Sequence, residues 1–281
     1  MTTGITGLPR IAIAMTAAEY AEAIVTFRDT FGMAVVDMSD RTVPDLGAHV
    51  GMCQPAVGSN IELMAPADPN APLGMAMQRF LDRRGTGLYA LMLEADSPDR
   101  EGEAMAARGM HVLPLMPGAG GRDVHPKSTH GVLIRVYPTG SVAQPAEPHS
   151  DPPHLSGIVR ALLAVGDLDA AERSWTHGLG FTGSRADVDE DRGVRSVPVD
   201  PPWGATVELV TPQDATRPVA SEIQRHLDEH GEGLVALVLE THDIAAAADA
   251  LGGAGIEVVE GALGVEARLF GTRFVLRSAQ D

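Results

Sequence analysis

Residues 125–138 read "HPKSTHGVLIRVYP", and they concentrate the side chains best suited to chemistry. The run "GVLIRV" predicts a buried strand, yet Arg135 stands inside it. A guanidinium there is costly unless it is paired or serves a site. Lys127 is the only lysine of the chain. With His125 and Ser128 it offers donors suited to a carbonyl or phosphate oxygen, or else it shapes the turn. "PGAGG" (117–121) supplies flexible backbone that can cover a cleft.

The 281 residues suffice for two domains that each bury a core. The single cysteine, Cys53, excludes an internal disulfide framework and a Cys-rich zinc site. A net charge of −17 argues against nucleic acid or an anionic membrane as partner. No apolar run has the length of a membrane span, and the N-terminus carries no signal pattern, so a cytoplasmic protein is expected. The many methionines (Met15, Met52, Met64, Met92 and Met116 among them) fit gap-filling in a core or an adaptable apolar pocket.

These residues need a scaffold, and the sequence repeats one. "MQRFLDRRGTGLYALMLEADSPDREGEAMAARGMHVLPL" from Met77 answers "IQRHLDEHGEGLVALVLETHDIAAAADALGGAGIEVVEG" from Ile223, an offset of 146 residues. At the same offset "IELMAP" (61–66) answers "VELVTP" (207–212). The repeat length is that of a domain. The Pro-, Ser- and Ala-rich segment 141–153 reads as a linker, giving a first domain over 1–140 and a second over 154–281. Each half alternates short apolar strands with amphipathic helices, and predicts an α+β fold of two βαβββ units closing a curved sheet around a cleft.

The segments "FRDTFG" (27–32), "IELMAP", "FLDRRGTGLYALMLE" (80–94), "PGAGG" and "HPKSTHGVLI" (125–134) resemble the vicinal oxygen chelate superfamily of glyoxalase I, extradiol dioxygenases and bleomycin-resistance proteins. Within it the likeness is to methylmalonyl-CoA epimerase. The second half shares the architecture but lacks "PGAGG" and "HPKST".

The resemblance implies one divalent metal held by four ligands, one from each of four strands. Carried onto this sequence, the second, third and fourth positions are Glu62, Ala90 and Arg135; the first is Arg10 or Ala12. The corresponding second-half positions are read as Arg160, Glu208, Ala236 and Arg277, a degenerate second site, so any working site is expected in the first half. Arginine has no lone pair to give a metal, so neither a metal nor another cofactor is expected. Arg135 is expected to face Glu62, with Arg10 a candidate third member, and Arg277 to face Glu208, as guanidinium–carboxylate pairs.

Two functions follow. In the first, the arginine stands in for the metal at a developing oxyanion, and Glu62 or His49 moves a proton. Tyr89, His125, Lys127 and Ser128 would bind the substrate. This is a metal-independent isomerase or lyase, acting beside the carbonyl of an acyl-thioester or polyketide-like molecule in the first half. In the second, the chain binds a small molecule such as an antibiotic without turning it over. A homodimer stays open, although the duplication already places two domains in one chain.

Overall fold

The computed structural model describes residues 4–39, 47–115, 120–141 and 155–279. Pro117, Gly118 and Ala119 of the glycine-rich loop and residues 142–153 of the linker lie outside them. The first half runs β1 (Ile5–Ala14), α1 (Ala17–Val25), β2 (Ala34–Asp37), β3 (Ala48–Gln54), β4 (Val57–Gly58) and β5 (Asn60–Pro66). It continues with α2 (Pro72–Arg84), β6 (Gly87–Ala95), α3 (Pro98–Ala107), β7 (Arg122–Val124) and β8 (Leu133–Pro138). The second half opens with β9 (Leu155–Ala164), α4 (Leu168–Arg173), β10 (Thr182–Gly183), β11 (Asp187–Asp189), β12 (Val194–Asp200) and β13 (Thr206–Pro212). It closes with α5 (Pro218–His230), β14 (Gly233–Thr241), α6 (Ile244–Gly253), β15 (Glu257–Gly261), β16 (Gly264–Leu269) and β17 (Thr272–Ser278).

Local signals mark the helix ends. Thr16 and Glu19 form a capping box at α1, Ser97 and Asp243 cap α3 and α6, and proline opens α2 and α5. Gly85 and Gly231 end α2 and α5 at φ 73° and 74°.

One sheet has the order β2-β3-β5-β1-β6-β8-β7, the other β10-β12-β13-β9-β14-β17-β16-β15. Each half is thus the expected pair of βαβββ units, except that in the first half the strand after α3 shrinks to a single bridge, Val112 to Val124. Residues alternate between two faces. The helix-covered faces of both sheets share one apolar cluster, with Phe27 and Phe31 of the first half 5.9 and 5.6 Å from Phe274 of the second. The concave faces carry separate clusters, Ala12, Met64, Ala90 and Met92 with Met77 of α2 in the first half, and Leu162, Ala236, Val238 and Val275 with Ile223 of α5 in the second.

The halves also join by reciprocal backbone contacts. β4 pairs with β9, and Leu8 of β1 bridges Gly204. A Cβ on Gly58 would lie 2.0 Å from the carbonyl oxygen of Ile158, and one on Gly204 would lie 2.2 Å from that of Leu8. Gly131 and Gly271 are likewise pressed against the backbone of Glu232 and Thr86, all at positive φ. Only glycine fits these approaches.

Candidate functional site

On the first concave face, β5, β1, β6 and β8 lie side by side. Register places Glu62 beside Ala12 and Ala90 in one row, and Arg10 beside Met92 and Arg135 in the next. Glu62 pairs with Arg10, not with Arg135: Arg10 Nη1 donates to Glu62 Oε2 at 3.0 Å. The reason is distance. Arg10 is on the adjacent strand, whereas Arg135 is three strand spacings from Glu62, about 14 Å along the sheet. Arg135 instead reaches Asp123, its direct neighbour across the β7–β8 hairpin, at 2.8 and 2.9 Å. Its other nitrogen donates to the carbonyl of Gly120, fastening the end of the glycine-rich loop.

Both guanidiniums lie over Tyr137, Arg10 at 4.3 Å and Arg135 at 5.1 Å from the ring centroid. Arg10 Nη2 donates to Ser141 Oγ, which donates in turn to Glu94. Arg10, Glu62 and Arg135 are 5%, 3% and 7% exposed. Burial pushes the Asp123 carboxyl up, although Arg135 opposes the shift. Burial likewise raises the Tyr137 and Tyr89 hydroxyls, Tyr89 to about 12. Asp123 and Tyr137 escaped the sequence reading. Tyr137 was signalled by its place two residues beyond Arg135, hence on the same strand face; Asp123 needed the hairpin register.

Three further positions differ from expectation. His49 lies on the helix-covered face, its ring 5.6 Å from Tyr20, because Ala48 and Val50 are the concave residues of β3. It cannot reach the cleft. Ser128 is not among the residues that line the cavity beside His125 and Lys127; its hydroxyl accepts the His111 amide at 2.8 Å. Arg277 does not answer Arg135. Leu91 pairs with Ile134 as Leu237 pairs with Phe274, so Val275 stands at the fourth position and Arg277 stands where the first half has Tyr137.

Tyr89 does join the concave side. A bulge between Ala12 and Ile13 turns it there, against Phe80 of α2 at 5.0 Å. His125 and Lys127 line a cavity with Tyr89 that extends to the second half. The His125 ring stacks on His111 at 4.9 Å, and its Nδ1 accepts the Lys127 amide. Burial first, then the His111 and Lys127 charges, lower its pKa.

The second concave face repeats the pair. Arg160 Nη1 donates to Glu208 Oε2 at 2.6 Å. Here the side chains are 30% and 11% exposed, against 6% and 3% for Arg10 and Glu62. They border a cavity of about 290 Å³ that Arg192 and Arg277 also line.

Neither face offers a metal a fitting donor set. The positions that would supply ligands carry Arg10, Ala12, Ala90 and Arg135, or Arg160, Leu162, Ala236 and Val275. The single carboxylate of each set is bonded to an arginine. Among the described residues no three His, Cys, Asp or Glu side chains converge, and no helix is long and apolar enough to cross a membrane.

Comparison with solved structures gives a triple mutant of 4-hydroxymandelate synthase from Streptomyces coelicolor at 14% identity and TM-score 0.68, covering 98% of this chain and 92% of that one. A xylose isomerase-like TIM barrel/4-hydroxyphenylpyruvate dioxygenase fusion protein matches at 15% identity and TM-score 0.64, over 99% of this chain and 49% of its own length. Methylmalonyl-CoA epimerase from Mycobacterium tuberculosis matches at 27% identity and TM-score 0.40, over 50% of this chain and 92% of that one. No curated protein matches the sequence. The sequence pattern of the Glyoxalase/Bleomycin resistance protein/Dioxygenase superfamily matches twice, over residues 11–125 and 161–275, and the chain belongs to that superfamily as a tandem pair of its domains.

Proposed function

We propose that this chain is a metal-independent small-molecule-binding protein, and that its second concave cleft receives a carboxylate-bearing ligand. The observation that carries this reading is the contrast in exposure. Glu62 and Arg10 are sealed together in the first half, while Arg160 and Glu208 border an open cavity of about 290 Å³ lined also by Arg192 and Arg277. Arg160 is held by Glu208 and Arg192 lies 3.9 Å from Asp189, so the cavity wall is rich in guanidinium donors, whose planar forks suit a carboxylate. Titration calorimetry with a panel of small carboxylic acids tests it. At least one should bind saturably to the parent, and Arg160→Ala should weaken it about tenfold or more, near 1.4 kcal/mol. Uniform failure of the panel, or binding indifferent to Arg160→Ala, refutes the reading. The dialysed protein should also fail to take up stoichiometric Mn, Co, Ni or Zn, measured by elemental analysis after incubation with each.

A metal-independent isomerase or lyase acting on an acyl-thioester is the second reading, and one observation favours it. Asp123 is a carboxyl held up by burial beside a guanidinium, the combination that suits proton exchange next to an oxyanion. Deuterium incorporation from D2O into a thioester, abolished by Asp123→Asn, would support it.

A further inference from the structure

A cavity of about 620 Å³ lies at the seam between the halves. The C-terminal end of α2 brings Arg83 and Arg84 to it, and the turn after His125 brings Lys127. Neither Arg83 nor Lys127 has an ion-pair partner among the described residues, and Arg84 donates to the His230 carbonyl at 3.0 Å. Among the described residues Glu232 is the one carboxylate on the cavity wall, and both its oxygens are engaged, with the Gly166 amide and with His130. In a chain with 38 acidic and 21 basic residues, three basic side chains against a single carboxylate run against the overall balance.

The duplication supplies an internal control. α5 repeats α2, with Arg225 at the place of Arg79, Glu222 at Ala76 and Glu229 at Arg83. Arg273 of β17 stands where β8 has Leu133. A second-half cavity of about 480 Å³ shares with the seam cavity only the turn into the last strand, Gly271, Thr272 and Arg273 answering Gly131, Val132 and Leu133, and is lined further by Arg225 and Arg268. There each arginine is neutralised. Glu222 accepts from Arg225 and Arg273, both at 2.5 Å, and Glu266 accepts from Arg268 at 2.7 Å. Basic residues at a helix C-terminus have a general stabilising role, but that covers neither Lys127, on a separate turn, nor the missing carboxylates. In that cavity each arginine has a carboxylate, whereas at the seam Arg83 and Lys127 have no ion pair among the described residues and Glu232 is turned to His130 and the Gly166 amide, which leaves room for counter-charge from a ligand.

We propose that the seam cavity binds an organic phosphate, with its phosphoryl group between Arg83 and Lys127 and its organic part against Phe80 and Tyr89. Two cations lining one cavity match a phosphoryl dianion, and the edge-to-face Phe80–Tyr89 pair offers an aromatic surface for the organic part. This site is separate from the second cleft, and its test does not depend on that reading.

Titration calorimetry of the full chain at low salt, with adenosine diphosphate and with inorganic pyrophosphate as probes, decides it. Adenosine diphosphate should bind saturably with one-to-one stoichiometry and more tightly than pyrophosphate. Arg83→Glu installs the residue that α5 carries as Glu229, so the fold should tolerate it, and it should lower affinity at least thirtyfold. Lys127→Gln, on the turn, should lower it about tenfold. Arg225→Gln in the opposite cavity and Arg160→Ala in the second cleft should leave it unchanged. Absence of saturable binding of either probe at millimolar concentration overturns the proposal, as does unchanged affinity in Arg83→Glu or Lys127→Gln. Pyrophosphate binding as tightly as adenosine diphosphate overturns its organic part.

Discussion

The two concave clefts start from the same pair and end differently. Arg10 and Glu62 sit in β1 and β5 as Arg160 and Glu208 sit in β9 and β13, in the same register. The fourth strand differs twice, Val275 answering Arg135 and Arg277 answering Tyr137, and the second change bears on the pair. In the first half Tyr137 lays its ring over Arg10, and Ser141 tethers the far side of the guanidinium. In the second half the same place holds Arg277, whose like charge cannot cover Arg160. A ring closes one cleft; a cation leaves the other open to water. The lesson is that the surroundings of an ion pair, more than the pair, decide whether it is core or site.

The largest effects should come where the halves press on each other. Gly271→Ala would put a Cβ 1.7 Å from the Thr86 carbonyl at φ 62°, and Gly131→Ala a Cβ 1.9 Å from that of Glu232 at φ 87°. Each should cost at least about 4 kcal/mol in denaturant unfolding, whereas Gly85→Ala, facing open space at φ 73°, should cost about 1 kcal/mol. If only one of the Gly131 and Gly271 variants is damaged, the pseudo-symmetry of the seam is broken.

Next comes the contrast between clefts. Glu62→Gln leaves the buried Arg10 without its carboxylate and should cost about 3–5 kcal/mol. Glu208→Gln, beside a partner that is 30% exposed, should cost about 1 kcal/mol. Equal losses would mean that exposure does not separate the two pairs.

A pH effect separates α5 from α2, which has Phe80 where α5 has His226. Burial, reinforced by His230 and the nearby arginines, lowers the His226 pKa to about 4 from 6.5. The folded state therefore holds it neutral, while the unfolded chain takes up a proton below pH 6.5. Stability should fall as pH drops from about 6.5 to about 4 and level off below that, by roughly 2–3 kcal/mol from this group. His226→Phe should flatten that part of a stability profile measured by chemical unfolding; an unchanged slope would refute the assignment.

The smallest effect is the most direct test of the comparison. Arg277→Tyr should close the second cleft, stabilising the chain by about 1 kcal/mol through a ring over Arg160 while abolishing ligand binding there. A variant that still binds its carboxylate would show that Arg277 is not what keeps the cleft open.

Much of this was legible in the sequence. The 146-residue offset and the alternation of apolar strands with amphipathic helices gave both halves and their order. Arg10, Glu62 and Arg135 were readable as residues of one sheet face. Which arginine meets Glu62 was not, because spacing along a strand fixes its face but not its neighbours across the sheet. His49 shows how small the margin is, since a shift of one residue moves a strand side chain to the opposite face. Arg277 was displaced by a slip of two, which preserves the face and so leaves no mark in the pattern. The seam cavity joins residues near 83, 127 and 232, and only the packed halves bring these together.

The reciprocal contacts of Gly58 with Ile158 and of Gly204 with Leu8 have a genetic consequence. In a two-fold dimer of identical chains every mutation is made twice, once at each symmetry-related site, and a residue that helps one site but harms the other is lost. Here both copies are encoded separately and held together by their own backbone. Tyr137 and Arg277, or Arg83 and Glu229, are therefore free to diverge as independent loci, each selected for a single surface.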